Sequence, residues 1–138
     1  MPRFRIIDHM ADLGVYFYGK TPEDLLINAA DVLFELMLDR KPETGGILTD
    51  VTLEGFDLED LLVRWLSELL YLYSARNQVM TGAEIKSLSE TRLEAVVELA
   101  PFNPAVHEIK HEVKAATYHR LEFKPRGGGW RARVIFDL

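Results

Sequence analysis

Residues 57 to 76, DLEDLLVRWLSELLYLYSAR, constrain the fold more than any other stretch. Leu61, Leu62, Trp65, Leu66, Leu69, Leu70, Leu72 and Tyr73 recur there at helical spacing. The apolar stripe they make is too wide for one contact face. Such a helix has to be central, touching both a sheet and another helix. Asp57 can cap its start, Phe56 can staple onto Leu61, and the pattern ends near Arg76.

The other helix begins at Thr21-Pro22-Glu23-Asp24. Thr21 can cap, Pro22 suits the first helical position, and Asp24 closes a capping box. Leu25, Ala29, Val32, Leu33 and Leu36 carry the helical spacing to about Leu38. Most of the remainder reads as strand. FRIIDH (4–9) and VYFYG (15–19) are short strands, KPETGG (41–46) is a loop, and ILTDVTLEGF (47–56) is a strand. MTGAEIKSLS and ETRLEAVVEL form an antiparallel pair turning near Glu90, and PFNPAVHE (101–108) is an irregular connection. VKAATYHRLEFK (113–124) and WRARVIFDL (130–138) form another pair, joined by PRGGG. In the last strand Trp130, Ala132, Val134 and Phe136 share one face; Arg131, Arg133, Ile135 and Asp137 share the other. The expectation is a single α+β domain over residues 1–138, a mostly antiparallel sheet packed against two helices.

A chain of 138 residues, 48% hydrophobic, is long enough to bury one real core. Its formal net charge of −6 makes it a weak stand-alone nucleic-acid binder, so a role with RNA is expected to run through a protein partner. There is no Cys, hence no disulfide framework and no thiolate chemistry. Charges at Arg3, Arg5 and Asp8 leave no signal-peptide core, and no apolar run reaches membrane-spanning length, so a cytoplasmic protein is expected.

Three constellations could carry chemistry. Asp8, His9 and Asp12 put three ionisable groups in five positions beside strands. They read either as a polar loop or as a metal or acid–base site. At the other end stand Asp137 and Leu138. A strand ordered to its last residue would hold the Asp137 carboxylate and, if the chain ends there, the Leu138 carboxylate in place. Lys114 in KAATYH is either a guard on an edge strand or a functional cation. Lys124, Arg126, Arg131 and Arg133 form a local basic patch, most simply a solvated face. PRGGG lacks the Lys-Ser/Thr of a phosphate loop, and no G-x-S-x-G elbow or HExxH is present. His107 and His111 in HEIKH miss the zinc pattern.

Three separated motifs then fall into one order. HMAD near the start, LLVRWLSELL in the second helix, and VKAATYH followed by WRARVIFDL resemble the archease family over essentially the whole chain. Met10 stands where that family usually has Thr. The resemblance implies a non-enzymatic accessory protein of the RtcB-type RNA-splicing ligase, which joins tRNA halves using GTP and a divalent metal. The accessory protein promotes guanylylation of the ligase and its multiple turnover. An older description of the family is a chaperone or modulator of nucleic-acid-processing proteins. Carried over by position, the metal candidates are Asp12, Asp137 and Leu138. Lys114 and His9 are further functional candidates, and no residue is assigned as catalytic.

On this reading Asp12 and Asp137 are expected to meet, because the first and last strands can lie side by side. Clustered carboxylates need a counter-charge. With no Cys, a hard divalent cation suits them best: Ca²⁺ first, then Mg²⁺ or Mn²⁺. RNA is expected to be met only through the ligase. The rivals are a metal-dependent phosphohydrolase using Asp12 and Asp137, and a chaperone-like binder.

Overall fold

The computed structural model describes residues 3–8, 12–40, 43 and 45–138, with the main chain only at Ile7 and Asp8. Its two helices are α1 (Pro22–Met37) and α2 (Leu58–Arg76). Both start at the expected caps. Thr21 Oγ1 accepts from the Asp24 amide at 3.1 Å, and Asp57 Oδ1 accepts from the Asp60 amide at 2.8 Å. At its other end α2 stops on Asn77, a left-handed residue with φ 54°. The wide apolar stripe is buried as anticipated: α2 packs on α1, on strands of one sheet, and on the end of another. Trp65 is fully buried, and its indole N–H donates to the Leu26 carbonyl at 2.9 Å, tying the helices together. The Phe56 staple is not formed. Phe56 is 85% exposed, with the Arg64 guanidinium 5.9 Å from its ring centre.

The α+β expectation is met, and among the described residues the strands divide into three antiparallel sheets. In the largest, β1 (Phe4–Asp8) pairs β2 (Asp12–Gly19). Two smaller sheets follow: β3 (Leu38–Arg40) with β7 (His107–Ile109), and β4 (Ile47–Glu54) with β6 (Arg92–Pro101) and β5 (Gln78–Leu88). The β5–β6 pair turns where expected. β2 then pairs β10 (Gly129–Asp137), whose far edge is shared by β8 (Ala115–Ala116) and β9 (Glu122–Arg126). Of the anticipated loop at 41–46, residues 43, 45 and 46 are described, and they are irregular.

Three readings are corrected. The connection expected over 101–108 is irregular only from 102 to 106, because Pro101 ends β6 and His107 opens β7. The stretch 113–124 is not one strand. Its chain leaves the β10 edge after Thr117, whose amide and hydroxyl both bond the Ile135 carbonyl, and returns only at Glu122. Arg120, at φ 51°, turns the detour back. β2 also begins three residues earlier than the sequence suggests. Asp12 is strand, not linker, because β10 runs alongside it to Asp137. The β9–β10 hairpin closes on Gly127 and Gly128, with φ 59° and 81°. Positive φ at both positions is what a tight two-residue hairpin requires.

The alternation along β10 holds. Ala132, Val134 and Phe136 are fully buried against α1 and β2, and Phe136 meets Phe17 edge-to-face at 6.3 Å. Asp137 and its same-face neighbours therefore point away from the core. Among the described residues no helix is long and apolar enough to cross a membrane.

Candidate functional site

Asp12 opens β2, Asp137 lies at the end of β10, and the two are direct cross-strand partners. Directly opposed residues of an antiparallel pair project to the same face, with Cβ atoms about 5 Å apart. The register thus sets two carboxylates side by side. Lys114 joins them through its main chain, its amide donating to the Asp137 carbonyl at 2.9 Å. Ala115 then opposes Asp137 from the other side. Asp12 is half-buried, while Lys114, Asp137 and Leu138 are exposed. The structure therefore brings Asp12, Asp137, Leu138 and the Lys114 backbone to one end of the sheet. The Asp8 main chain, paired with Leu13, reaches the same end. The Asp8 side chain and His9 lie outside the described residues.

Like charges directly opposed on a sheet are destabilising. Among the described residues neither carboxylate has a side-chain hydrogen bond or ion pair to relieve it. Nor does any group of three or more His, Asp or Glu side chains there come close enough to hold a metal. What remains is an all-oxygen set: two carboxylates and the main-chain oxygen of Leu138. Its chemistry fits a hard divalent cation that completes its shell with water or a partner's oxygens.

A second acidic arrangement escapes sequence reasoning. Asp60 is only 6% exposed, in the first turn of α2. Its Oδ1 accepts from the Tyr118 hydroxyl at 2.6 Å. Its Oδ2 accepts from the Phe56 amide at 2.9 Å and from Arg64 Nε at 2.8 Å. Burial opposes the charge, but these donors outweigh it and hold the carboxyl below the usual range. The Tyr118 phenol is pushed up, chiefly by its bond to Asp60. This latch fastens the 117–121 detour to α2. Asp57-x-x-Asp60 announces a helix start, but nothing local announces a tyrosine 58 positions away.

His107 is equally hidden. It sits in β7, with its side chain wholly buried and Nε2 2.6 Å from a Glu43 oxygen. Nδ1 accepts from the Asn103 amide at 2.9 Å, so Nε2 carries the proton toward the carboxylate. His111, exposed, does not share a helix face with it.

Comparison with known proteins gives the chain a family. The model of the Archease protein family (MTH1598/TM1083) matches residues 4–138. Protein archease of Methanosarcina mazei is 34% identical over 99% of this chain and 96% of its own length. Protein archease of Pyrococcus furiosus is 32% identical over the whole of both chains. The solution structure of Methanobacterium thermoautotrophicum protein 1598 superposes with a TM-score of 0.77, at 31% identity over 100% of both chains. A Thermotoga maritima crystal structure, described as an archease and possible chaperone, has the same fold, with a TM-score of 0.64 at 21% identity over 96% of this chain and 94% of that one. The protein is a member of the archease family.

Proposed function

We propose that this protein is a non-enzymatic accessory factor of the RtcB-type RNA-splicing ligase, acting in the cytoplasm. It promotes guanylylation of the ligase and sustains its multiple turnover. The observation that carries this reading is the Asp12–Asp137 cross-strand pair, with Lys114 fastened to Asp137. Membership of the archease family supports it.

Asp12, Asp137 and the Leu138 main-chain oxygen would hold a divalent cation, Ca²⁺ in preference to Mg²⁺ or Mn²⁺. When bound, the ion would neutralise the paired carboxylates and offer open coordination positions to oxygen ligands. Lys114, exposed beside them, supplies a mobile ammonium for a nucleotide phosphate or an acidic residue of the ligase. Strand pairing on both sides of β10 fixes the Asp137 backbone, so the site is presented on a rigid edge. RNA is met through the ligase in this role.

The test is a multiple-turnover ligation assay with the cognate ligase, with and without the protein. Stimulation by the wild type that is lost in Asp12→Ala and Asp137→Ala is the expected result. Stimulation untouched by either substitution would dissociate the carboxylates from the role. A chaperone-like reading has its own support in exposed Ile47 (77%), Leu48 (68%) and Phe56 (85%). It would be favoured if the protein suppressed client aggregation without metal while failing to stimulate ligation. Turnover of GTP or cyclic-phosphate RNA by the protein and metal alone would instead mark a phosphohydrolase.

A further inference from the structure

Away from the aspartate pair, the outer face of the five-stranded sheet is cationic. One cross-strand row reads Arg5, Tyr16, Arg133, Glu122, and the next reads Tyr18, Arg131, Lys124. The guanidinium carbons of Arg131, Arg5 and Arg133 lie 4.4, 4.9 and 6.0 Å from the centre of the Tyr16 ring. Glu122 is the one carboxylate within these two rows. It is shared by Arg131 at 3.3 Å, Lys124 at 3.4 Å and Arg133 at 3.6 Å. Burial works against its charge, yet Arg133, Lys124 and Arg131 together hold it below the usual carboxylate range.

This is not a loosely solvated patch. The side chains of Arg131 and Arg133 are only 12% and 23% exposed, and Arg131 Nε has no hydrogen-bond partner among the described residues. Four cations against one carboxylate, on a chain of net charge −6, are concentrated where they repel one another. Guanidinium groups stacked on a tyrosine are already held in place, so little freedom is lost when an anion arrives. Same-face positions repeat about every 7 Å along a strand, and neighbouring strands lie about 4.8 Å apart. A ligand with regularly spaced phosphates matches such a lattice. Tyr18, half-exposed in the second row, adds an aromatic surface of the kind that unpaired bases use.

We infer that this face binds a single-stranded nucleic acid, with phosphates on the exposed Arg5 and Lys124 and on the outer edges of Arg131 and Arg133. The binding is direct and weak, and it stands apart from the ligase role. An acidic protein segment is the competing occupant. It would use the arginines but gain little from the aromatic surface.

The test uses the full chain alone, without ligase or divalent metal. A fluorescein-labelled uridine dodecamer is titrated and anisotropy is read. If four phosphates are engaged, affinity should fall about fiftyfold between 50 and 200 mM salt, a log–log slope of about −2.8. Arg5→Gln combined with Lys124→Gln, both at exposed positions, should halve that slope and weaken binding at least tenfold at 50 mM salt. Lys86→Gln on β5, in another sheet, should change neither. Circular dichroism checks that the variants fold. Absence of binding at 50 mM salt would overturn the inference, as would equal loss in Lys86→Gln. Displacement of the dodecamer by polyglutamate at equal charge concentration would give the face to an acidic protein instead.

Discussion

Asp60 and the Asp12–Asp137 pair are both acids at the ends of elements, yet their surroundings are opposite. Asp60 is buried and receives bonds from Tyr118, Arg64 and the Phe56 amide. Asp12 and Asp137 face each other near solvent, with no such donors among the described residues. A carboxylate enclosed by donors is satisfied and holds the fold together. Two carboxylates opposed without donors are held by the fold at an energetic cost, and they fit a role outside it. The contrast separates a structural acid from the pair proposed to act in function, and stability and activity should separate in the same way.

The largest expected effect is on Asp60. Asp60→Ala strips three donors of their acceptor and leaves the Phe56 amide unpaired, which should cost about 3 kcal/mol in urea unfolding. A loss below about 1 kcal/mol would erase the contrast by making Asp60 dispensable to the fold.

Tyr118→Phe comes next. It removes one hydrogen bond while keeping the ring, at an expected cost of about 1 kcal/mol. The pH dependence has two limbs. The Asp60 carboxyl is depressed on folding, so its contribution is present above the unfolded value of about 4 and is lost as pH falls through the folded one. The Tyr118 phenol is raised, so its contribution is intact below about pH 10 and disappears as pH rises through its folded value. In Tyr118→Phe the alkaline loss should shrink to the part carried by Tyr73, whose phenol burial also raises, and the acid loss should shrink as well. Urea midpoints measured from pH 2 to 11 would show both. An unchanged alkaline limb would assign that loss to another group.

The two regions also differ in how far the sequence reveals them. Strand alternation places Asp137 opposite Phe136, but the first and last strands are not neighbours: β1 pairs one edge of β2, and it is β2, the second strand, that pairs β10 and sets Asp12 opposite Asp137. The two-sided burial of α2 follows from the width of its apolar stripe. Asp60–Tyr118 and His107–Glu43 join residues 58 and 64 positions apart, and no periodicity encodes either. The same long-range bond explains why 113–124 reads as one strand but is two. Val113, Thr117, Tyr118 and Phe123 favour extended chain and no Gly or Pro interrupts them, and the detour exists because Tyr118 reaches back to α2. The Phe56 staple fails for a related reason: the side chain of Asp60 takes the Phe56 amide, and the ring lies out beside Arg64.

Asp12→Ala should act on stability in the opposite direction to Asp60→Ala. Relieving a like-charge pair should leave metal-free stability unchanged or raise it by up to about 0.5 kcal/mol. Ligase stimulation should be abolished all the same. A metal-free variant that unfolds much more easily than wild type would make Asp12 a structural residue like Asp60 and collapse the distinction.

The smallest effect on stability, and the finest cut, belongs to Lys114. Its amide holds Asp137, but its side chain is exposed and makes no ion pair among the described residues. Lys114→Ala keeps that amide, so the main-chain bond and the β8–β10 pairing survive, and urea unfolding should match wild type. An ammonium is not a metal ligand, so calorimetric titration with Ca²⁺ should give unchanged or slightly tighter binding once a nearby positive charge is gone. Ligase stimulation should nevertheless fall severalfold, because in the proposed role the lost charge would face a phosphate or an acidic residue of the ligase. Lys114→Arg keeps the charge and should recover part of the stimulation. If Ca²⁺ affinity collapsed together with stimulation, Lys114 would be acting through the aspartate pair, and this end of the sheet would be one unit in place of a metal site with a separate cationic arm.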